Sequence, residues 1–211
     1  AATNPRPNPG LAGLPVRGRA RLFIPMNRPA ILAMALAGAL ARADVVDIHL
    51  DIAPLRIHPS GRPAEALAIN GVIPGPVLRF REGDTARIHV RNHLPDEDTS
   101  LHWHGLLLPN AQDGVPHLTT PPIRPGETRT YEFPLRQSGT YWYHSHSGLQ
   151  EQRGLYGAIV VEPSVPPAGP ARREHVLVLS DWIARHPDSV MRSLMRGSPW
   201  HAVRKGTRPS L

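Results

Sequence analysis

Glycine and proline turn signals punctuate residues 45–162, and the short runs between them alternate apolar and polar residues with a period of two. That pattern constrains the fold more than any other feature of the chain. Side chains i and i+2 of a strand share one face, so such a run builds a half-buried strand and cannot build an amphipathic helix. The runs are Val45–Ile52, Glu65–Asn70, Pro76–Phe80, Thr85–Asn92, Thr99–Gly105, Thr128–Pro134, Gly139–His146, Leu155–Glu162 and Glu174–Asp181. Asn70-Gly71, Pro74-Gly75-Pro76, Glu82-Gly83-Asp84, Asp113-Gly114, Pro125-Gly126-Glu127 and Ser138-Gly139 separate them. Short strands joined by such turns predict an all-β domain, an antiparallel sandwich or barrel.

Two of these runs carry paired histidines, His102-Trp103-His104 and His144-Ser145-His146. In a strand each pair aims two imidazoles at one face, with Trp103, Tyr141 and Tyr143 on the opposite face and Trp142 on the side of His144 and His146. Neutral imidazole is the commonest protein ligand for copper, zinc and iron. With no carboxylate next to them in sequence, four buried imidazoles are costly unless a metal or hydrogen bonds engage the ring nitrogens. The remaining histidines, His49, His58, His89, His93, His175, His186 and His201, stand alone and read as surface or hydrogen-bonded residues, with His117 facing solvent after its turn.

The chain contains no cysteine, which excludes disulfides, Cys-ligated zinc, iron–sulfur centres and thiol catalysis within these 211 residues. Its net charge of +7 is confined to the ends: residues 1–43 hold six Arg and no acid, and residues 200–211 hold Arg204, Lys205 and Arg208. Residues 44–199 balance 15 basic against 17 acidic residues, so no nucleic-acid partner is expected. Residues 1–25, rich in Pro, Arg, Gly and Ala, read as an unstructured extension. The apolar run Pro29–Leu40 ahead of Ala41-Arg42-Ala43 makes 26–43 a signal peptide, too short to span a bilayer, with Met26 as the natural start. Export is expected, by the general secretory route since there is no twin-arginine pair, and no membrane association after cleavage. The folded domain is expected over 44–163 and a Pro/Gly linker over 164–173. The start of a second domain follows over 174–211, with a strand and then a helix-like stretch at Pro187–Gly197.

The histidine motifs and their surroundings resemble the multicopper oxidases. Thr99-Ser100-Leu101-His102-Trp103-His104-Gly105 is similar to their first copper motif and Gly139-Thr140-Tyr141-Trp142-Tyr143-His144-Ser145-His146 to the second. Asp113-Gly114-Val115-Pro116 and Ile123-Arg124-Pro125-Gly126-Glu127 match the connection between them. Gln150-Glu151-Gln152-Arg153-Gly154-Leu155-Tyr156-Gly157 and Leu179-Ser180-Asp181-Trp182 look most like the bacterial copper-resistance branch, the A-type periplasmic proteins. The resemblance covers about residues 45–197. It implies a cupredoxin-like Greek-key β-sandwich, the first of usually three such domains, in a periplasmic protein.

The resemblance also implies copper. His102 would serve a type 2 copper, His104 and His144 would share one type 3 copper, and His146 would bind the other. Asp113 would relay protons, although a plain turn residue ahead of Gly114 is an equal reading. The family couples one-electron oxidation of a reductant to reduction of O2 to water, with a Cys-ligated copper receiving the electrons and eight histidines holding a three-copper cluster. This chain offers half of those histidines and no Cys, so it is expected to be a fragment, inactive alone. A non-catalytic periplasmic copper-binding or sequestering module is the alternative, and a mononuclear zinc or iron enzyme on a β-barrel a further one.

Overall fold

The computed structural model describes residues 43–59, 61, 63–170, 173–183 and 185–196. The expected extension over 1–25, nearly all of the expected signal over 26–43, and residues 197–211 lie outside the described residues.

Eight strands form among the described residues: β1 (Val45–Ile57), β2 (Ala64–Ile69), β3 (Gly75–Arg81), β4 (Thr85–Asn92), β5 (His102–His104), β6 (Thr128–Pro134), β7 (Gly139–His144) and β8 (Tyr156–Glu162). They make two four-stranded sheets, ordered β2-β1-β4-β6 and β3-β8-β7-β5. Strands adjacent in sequence often lie in different sheets, which is the Greek-key character of the sandwich. Contrary to the antiparallel expectation, both sheets are mixed: β1 runs parallel to β4, and β3 parallel to β8. The chain leaves the first sheet after β2, adds β3 to the second and returns as β4, so the rule that a tight turn joins antiparallel neighbours does not govern these pairs.

β1 extends five residues beyond the predicted Ile52. At that point it exchanges partners, pairing with β4 over Val45–Ile52 and with β2 over Ile52–Ile57. Past Ile52 only one edge is paired, which tolerates Pro54 inside the strand.

The alternation predicted from sequence defines the core. Leu50 and Ile52, Ala86, Ile88 and Val90, and Tyr131 and Phe133 line the inner face of the first sheet. Leu78, Phe80, Trp103, Tyr143, Ile159 and Val161 meet them from the second. Trp103 is fully buried, with its ring 5.2 Å from that of Tyr131, 5.9 Å from Phe133 and 6.2 Å from Tyr143. Tyr143 lies flat across Gly157, where any Cβ would overlap its ring, and donates its hydroxyl to the Pro76 carbonyl at 2.8 Å.

Residues 174–181 form no strand. Leu177 and Leu179 are exposed, and no strand among the described residues pairs with them. A strand needs a partner to satisfy its backbone groups, and alternation alone does not provide one. The helix-like stretch does form a helix, α1 (Pro187–Met195), with Pro187 in its first turn, His186 as N-cap and Val190 buried. No helix among the described residues is long and apolar enough to cross a membrane.

Trp103→Ala is expected to lower stability by about 3–5 kcal/mol, because it opens a cavity between three aromatic rings. Urea unfolding followed by Tyr and Trp fluorescence checks this.

Candidate metal centre

The site follows from one register. β5 pairs antiparallel with β7, setting His102 opposite His144, Trp103 opposite Tyr143 and His104 opposite Trp142. Trp103 and Tyr143 point into the core, so His102, His104, Trp142 and His144 share the opposite face of the sheet, at its β5 edge. The structure therefore brings both histidine pairs together. Ring centroids lie 5.4 Å apart for His102–His104, 5.6 Å for His102–His144 and 5.4 Å for His104–His144. The ligand-capable nitrogens of these three come within 4.8 Å of one another. His146 stands beside them, its ring 4.9 Å from His102 and 4.8 Å from His144.

Two expectations need correction. β7 stops at His144 rather than His146; Ser145 turns inward, buried, and donates its N–H to the Leu155 carbonyl. His146 reaches the cluster from a turn. Second, the cluster is neither wholly buried nor free of carboxylates. His144 is buried, His102 partly so, and His104 and His146 are exposed. Asp113 and Glu151 both lie against it.

Those acceptors fix the rings. His102 Nδ1 donates to the Asp113 carbonyl at 2.8 Å, with the Asp113 carboxylate at 3.3 Å. His144 Nδ1 lies 2.9 Å from Glu151 Oε2 and 3.2 Å from the Ser145 carbonyl. With Nδ1 protonated, each ring keeps a bare Nε2 for a metal, the arrangement by which outer partners orient ligating histidines. His144 Nε2 then lies 3.2 Å from His104 Nδ1, where either a proton or a metal ion must sit between them. Trp142 stacks on His144 at 3.8 Å and 9° and shields that pair on one side.

Burial favours the neutral form of His144 and His146. Burial, followed by the neighbouring His146, His102 and His104, pushes His144 down to about 4, against a smaller opposing effect of the Ser145 carbonyl. Burial and His102 likewise lower His146, while Asp113 works the other way. Burial raises the Glu151 carboxyl. Neutral imidazoles with free lone pairs are the form that binds soft-to-borderline metals, so the donor set fits copper.

Sequence reasoning missed the parts that brace this site. Gln150 is buried; its carbonyl accepts from Thr99 Oγ1 at 2.8 Å and Ser145 Oγ at 2.9 Å, and its amide donates to the Asp98 carbonyl and Glu97. It thus ties the approach to β5 to the exit from β7. Ser100 Oγ accepts the His146 N–H at 3.1 Å, fixing the turn that carries His146. Gly114, with φ of +83°, lies so close to β5 that a Cβ would overlap the Leu101 carbonyl, and this approach delivers the Asp113 carbonyl to His102. Gln150 and Glu151 lie four and five residues past His146, in the run Gln150–Gly157 that carries part of the family resemblance, but nothing in that run signalled a bracing role for them.

The sequence model of the Multicopper oxidase family matches residues 51–165. The chain is 46% identical over 169 residues to copper resistance protein A of Pseudomonas syringae pv. tomato, covering 80% of this chain and 28% of that protein. It is 47% identical over 158 residues to copper resistance protein A of Escherichia coli, covering 75% and 26% respectively. Among solved structures, a multicopper oxidase from Pseudomonas thermotolerans superposes with a TM-score of 0.56 at 41% identity, over 59% of this chain and 31% of that one. The blue copper oxidase of Nitrosomonas europaea gives 0.55 at 35% identity, over 59% and 40%. The chain spans roughly a quarter of the length of the curated relatives it matches.

Gln150→Ala should cost about 2–3 kcal/mol, since it strands several buried polar partners at once; calorimetric unfolding checks it. Glu97 gives a pH test. Its carboxyl is opposed by burial but held below the ordinary glutamate value of 4.5 by Arg153, at 2.7 and 2.8 Å, and by Gln150. A lowered folded value means this contribution is complete above pH 4.5 and is lost as pH falls below it. Glu97→Gln should therefore flatten the acid limb of stability below that pH. The carboxylate is over a third exposed, so the effect should stay under about 1 kcal/mol.

Proposed function

The chain belongs to the multicopper oxidase family, and on that premise we propose that His102, His104, His144 and His146 supply one half of the ligands of a three-copper centre. The observation that carries this reading is the His102–His144 register, which gathers imidazoles on one sheet edge with their outer nitrogens already anchored. His102 would serve a type 2 copper through Nε2. His104 Nδ1 and His144 Nε2, 3.2 Å apart, would share one type 3 copper, and His146 would reach the other. Copper held there supplies one-electron redox chemistry, in this family the coupling of reductant oxidation to reduction of O2 to water.

The protein's own contribution is positioning and protonation. The Asp113 carbonyl and Glu151 hold the His102 and His144 rings in the tautomer that exposes Nε2. Trp142 excludes water from one face of His144. The Asp113 carboxylate, 3.3 Å from His102 Nδ1 and partly exposed, would pass protons between solvent and the centre. Copper tolerance, export to the periplasm after cleavage within 26–43, and a reductant partner extend the reading from the relatives to this chain.

The 211 residues contain no cysteine, so they hold no thiolate for an electron-accepting copper. We therefore assign these residues alone copper binding without oxidase turnover. The same observation favours a second reading, a copper-sequestering module. Titration of the purified chain with Cu(II), followed by paramagnetic resonance and visible absorption, tests both. Copper should bind without intense blue absorption, and His102→Ala/His144→Ala should weaken it more than about a hundredfold. Phenols and cuprous ion should not be turned over. Oxidation of either by the isolated chain, or unchanged binding in the double variant, would refute the assignment.

A further inference from the structure

A second group of metal-capable side chains lies on the other sheet. Asp47 and His49 are two residues apart on β1, and His89 of β4 is the parallel register partner of His49. Their parity is opposite to that of Ile48, Leu50, Ile88 and Val90, so all three stand on the outer face of the β2-β1-β4-β6 sheet. The two imidazoles stack with centroids 4.6 Å apart and planes at 19°. Both turn Nε2 toward the same oxygen, Asp47 Oδ1, at 3.4 Å from His49 and 3.1 Å from His89. One donor atom from each residue falls within 4.8 Å of the other two.

The surroundings hold this group in place. His89 Nδ1 lies 2.8 Å from Thr130 Oγ1 on β6. When the hydroxyl accepts from Nδ1–H, Nε2 is left bare and facing the other two donors. Asp47 Oδ2 faces Arg87 Nη1 at 3.7 Å, and Arg87 Nε donates to Glu132 at 2.8 Å, so the oxygen turned to the imidazoles is the one free to ligate. Three donors on two adjacent strands, with an outer partner on a third, ride on a backbone held by ladder bonds on both sides of β4. Side-chain exposure rises from 24% at His89 through 45% at Asp47 to 76% at His49, leaving the remaining coordination positions to water.

We propose that Asp47, His49 and His89 form a surface binding site for a divalent first-row transition ion, separate from the four-histidine centre on the opposite sheet. Two imidazoles and one carboxylate with open positions suit Cu(II) and Zn(II), and the order of divalent affinities makes Cu(II) the tighter. Without an ion, a ring protonated on Nε2 donates to Asp47 Oδ1, and Thr130 Oγ1 then donates to His89 Nδ1; binding of an ion displaces the Nε2 protons, and His89 takes the Nδ1–H tautomer that donates to Thr130. The site depends on nothing assigned to His102, His104, His144 or His146.

The experiment uses the whole chain. Cu(II) is titrated calorimetrically into the wild type, His49→Ala/His89→Ala, Thr130→Val and, as a control for the neighbouring His93–Asp51 pair, His93→Ala. The double variant should bind one equivalent fewer. Thr130→Val should weaken that equivalent by about 10–100-fold, the usual loss when an outer partner is removed. His93→Ala should change nothing. In parallel, Zn(II) added to the wild type should shift the imidazole nitrogen resonances of His49 and His89, a readout independent of any substitution. An unchanged number of equivalents in the double variant, loss of the equivalent in His93→Ala, or unmoved His49 and His89 resonances at a large excess of Zn(II) would overturn the proposal. Substituting His102 and His144 reports on the other centre, so the two assignments stand or fall separately.

Discussion

Trp103 and Tyr143 face each other across β5 and β7, and their insertion between the sheets decides where every neighbouring side chain points. A strand has a period of two, so committing these two rings to the core commits His102, His104, Trp142 and His144 to the outer face. A slip of one residue would bury imidazoles and expose the largest rings of the domain, a loss of several kcal/mol that no hydrogen bond on the outer face would offset. The histidine constellation is thus held by hydrophobic packing on the reverse of the same two strands. Tyr143 adds a second lock, because its ring fits only over Gly157 and its hydroxyl reaches the Pro76 carbonyl on β3.

β5 is only three residues long and lies at a sheet edge, which is little ladder to position two ligands. The deficit is met by side chains. Gln150 bonds to both segments that flank the histidine motifs, and Ser100 fixes the turn bearing His146. The Asp113–Gly114 loop presses on Leu101 from the other side. These contacts are polar and buried or half-buried, a combination that fixes one arrangement and penalises any that leaves a partner unmade.

What was legible in the sequence was what depends on short-range periodicity. The eight strands of the domain, the parity of Trp103 against His102 and His104, and the N-terminal proline of α1 follow from residues a few positions apart. Strand direction did not: a turn motif looks the same whether the chain stays in its sheet or crosses to the other, and β1–β4 and β3–β8 proved parallel. Residues 174–181 alternate like a strand yet find no partner among the described residues. The carboxylates of Asp113 and Glu151, and the amide of Gln150, reach the histidines through turns whose geometry has no period to read. His49 and His89 show the same limit. Each is unremarkable in its own strand, and only the parallel register makes them neighbours.

The two histidine groups also differ in a way that follows from burial. At the β5–β7 edge, Trp142, Glu151 and the Ser145 turn remove water from His144, and burial with like-charged neighbours drives its protonation well below neutrality. Such a site selects ligands that bind a neutral ring and disfavours protons, and it leaves His104 and His146 open toward solvent. That open side is where further ligands would have to approach, since the core closes the reverse face and Trp142 one flank. On the outer face of the other sheet, solvent surrounds His49, and Thr130 braces His89 from one side. Ligands there must compete with water at every step, so an ion held by Asp47, His49 and His89 should exchange freely, whereas one held between His104 and His144 should not.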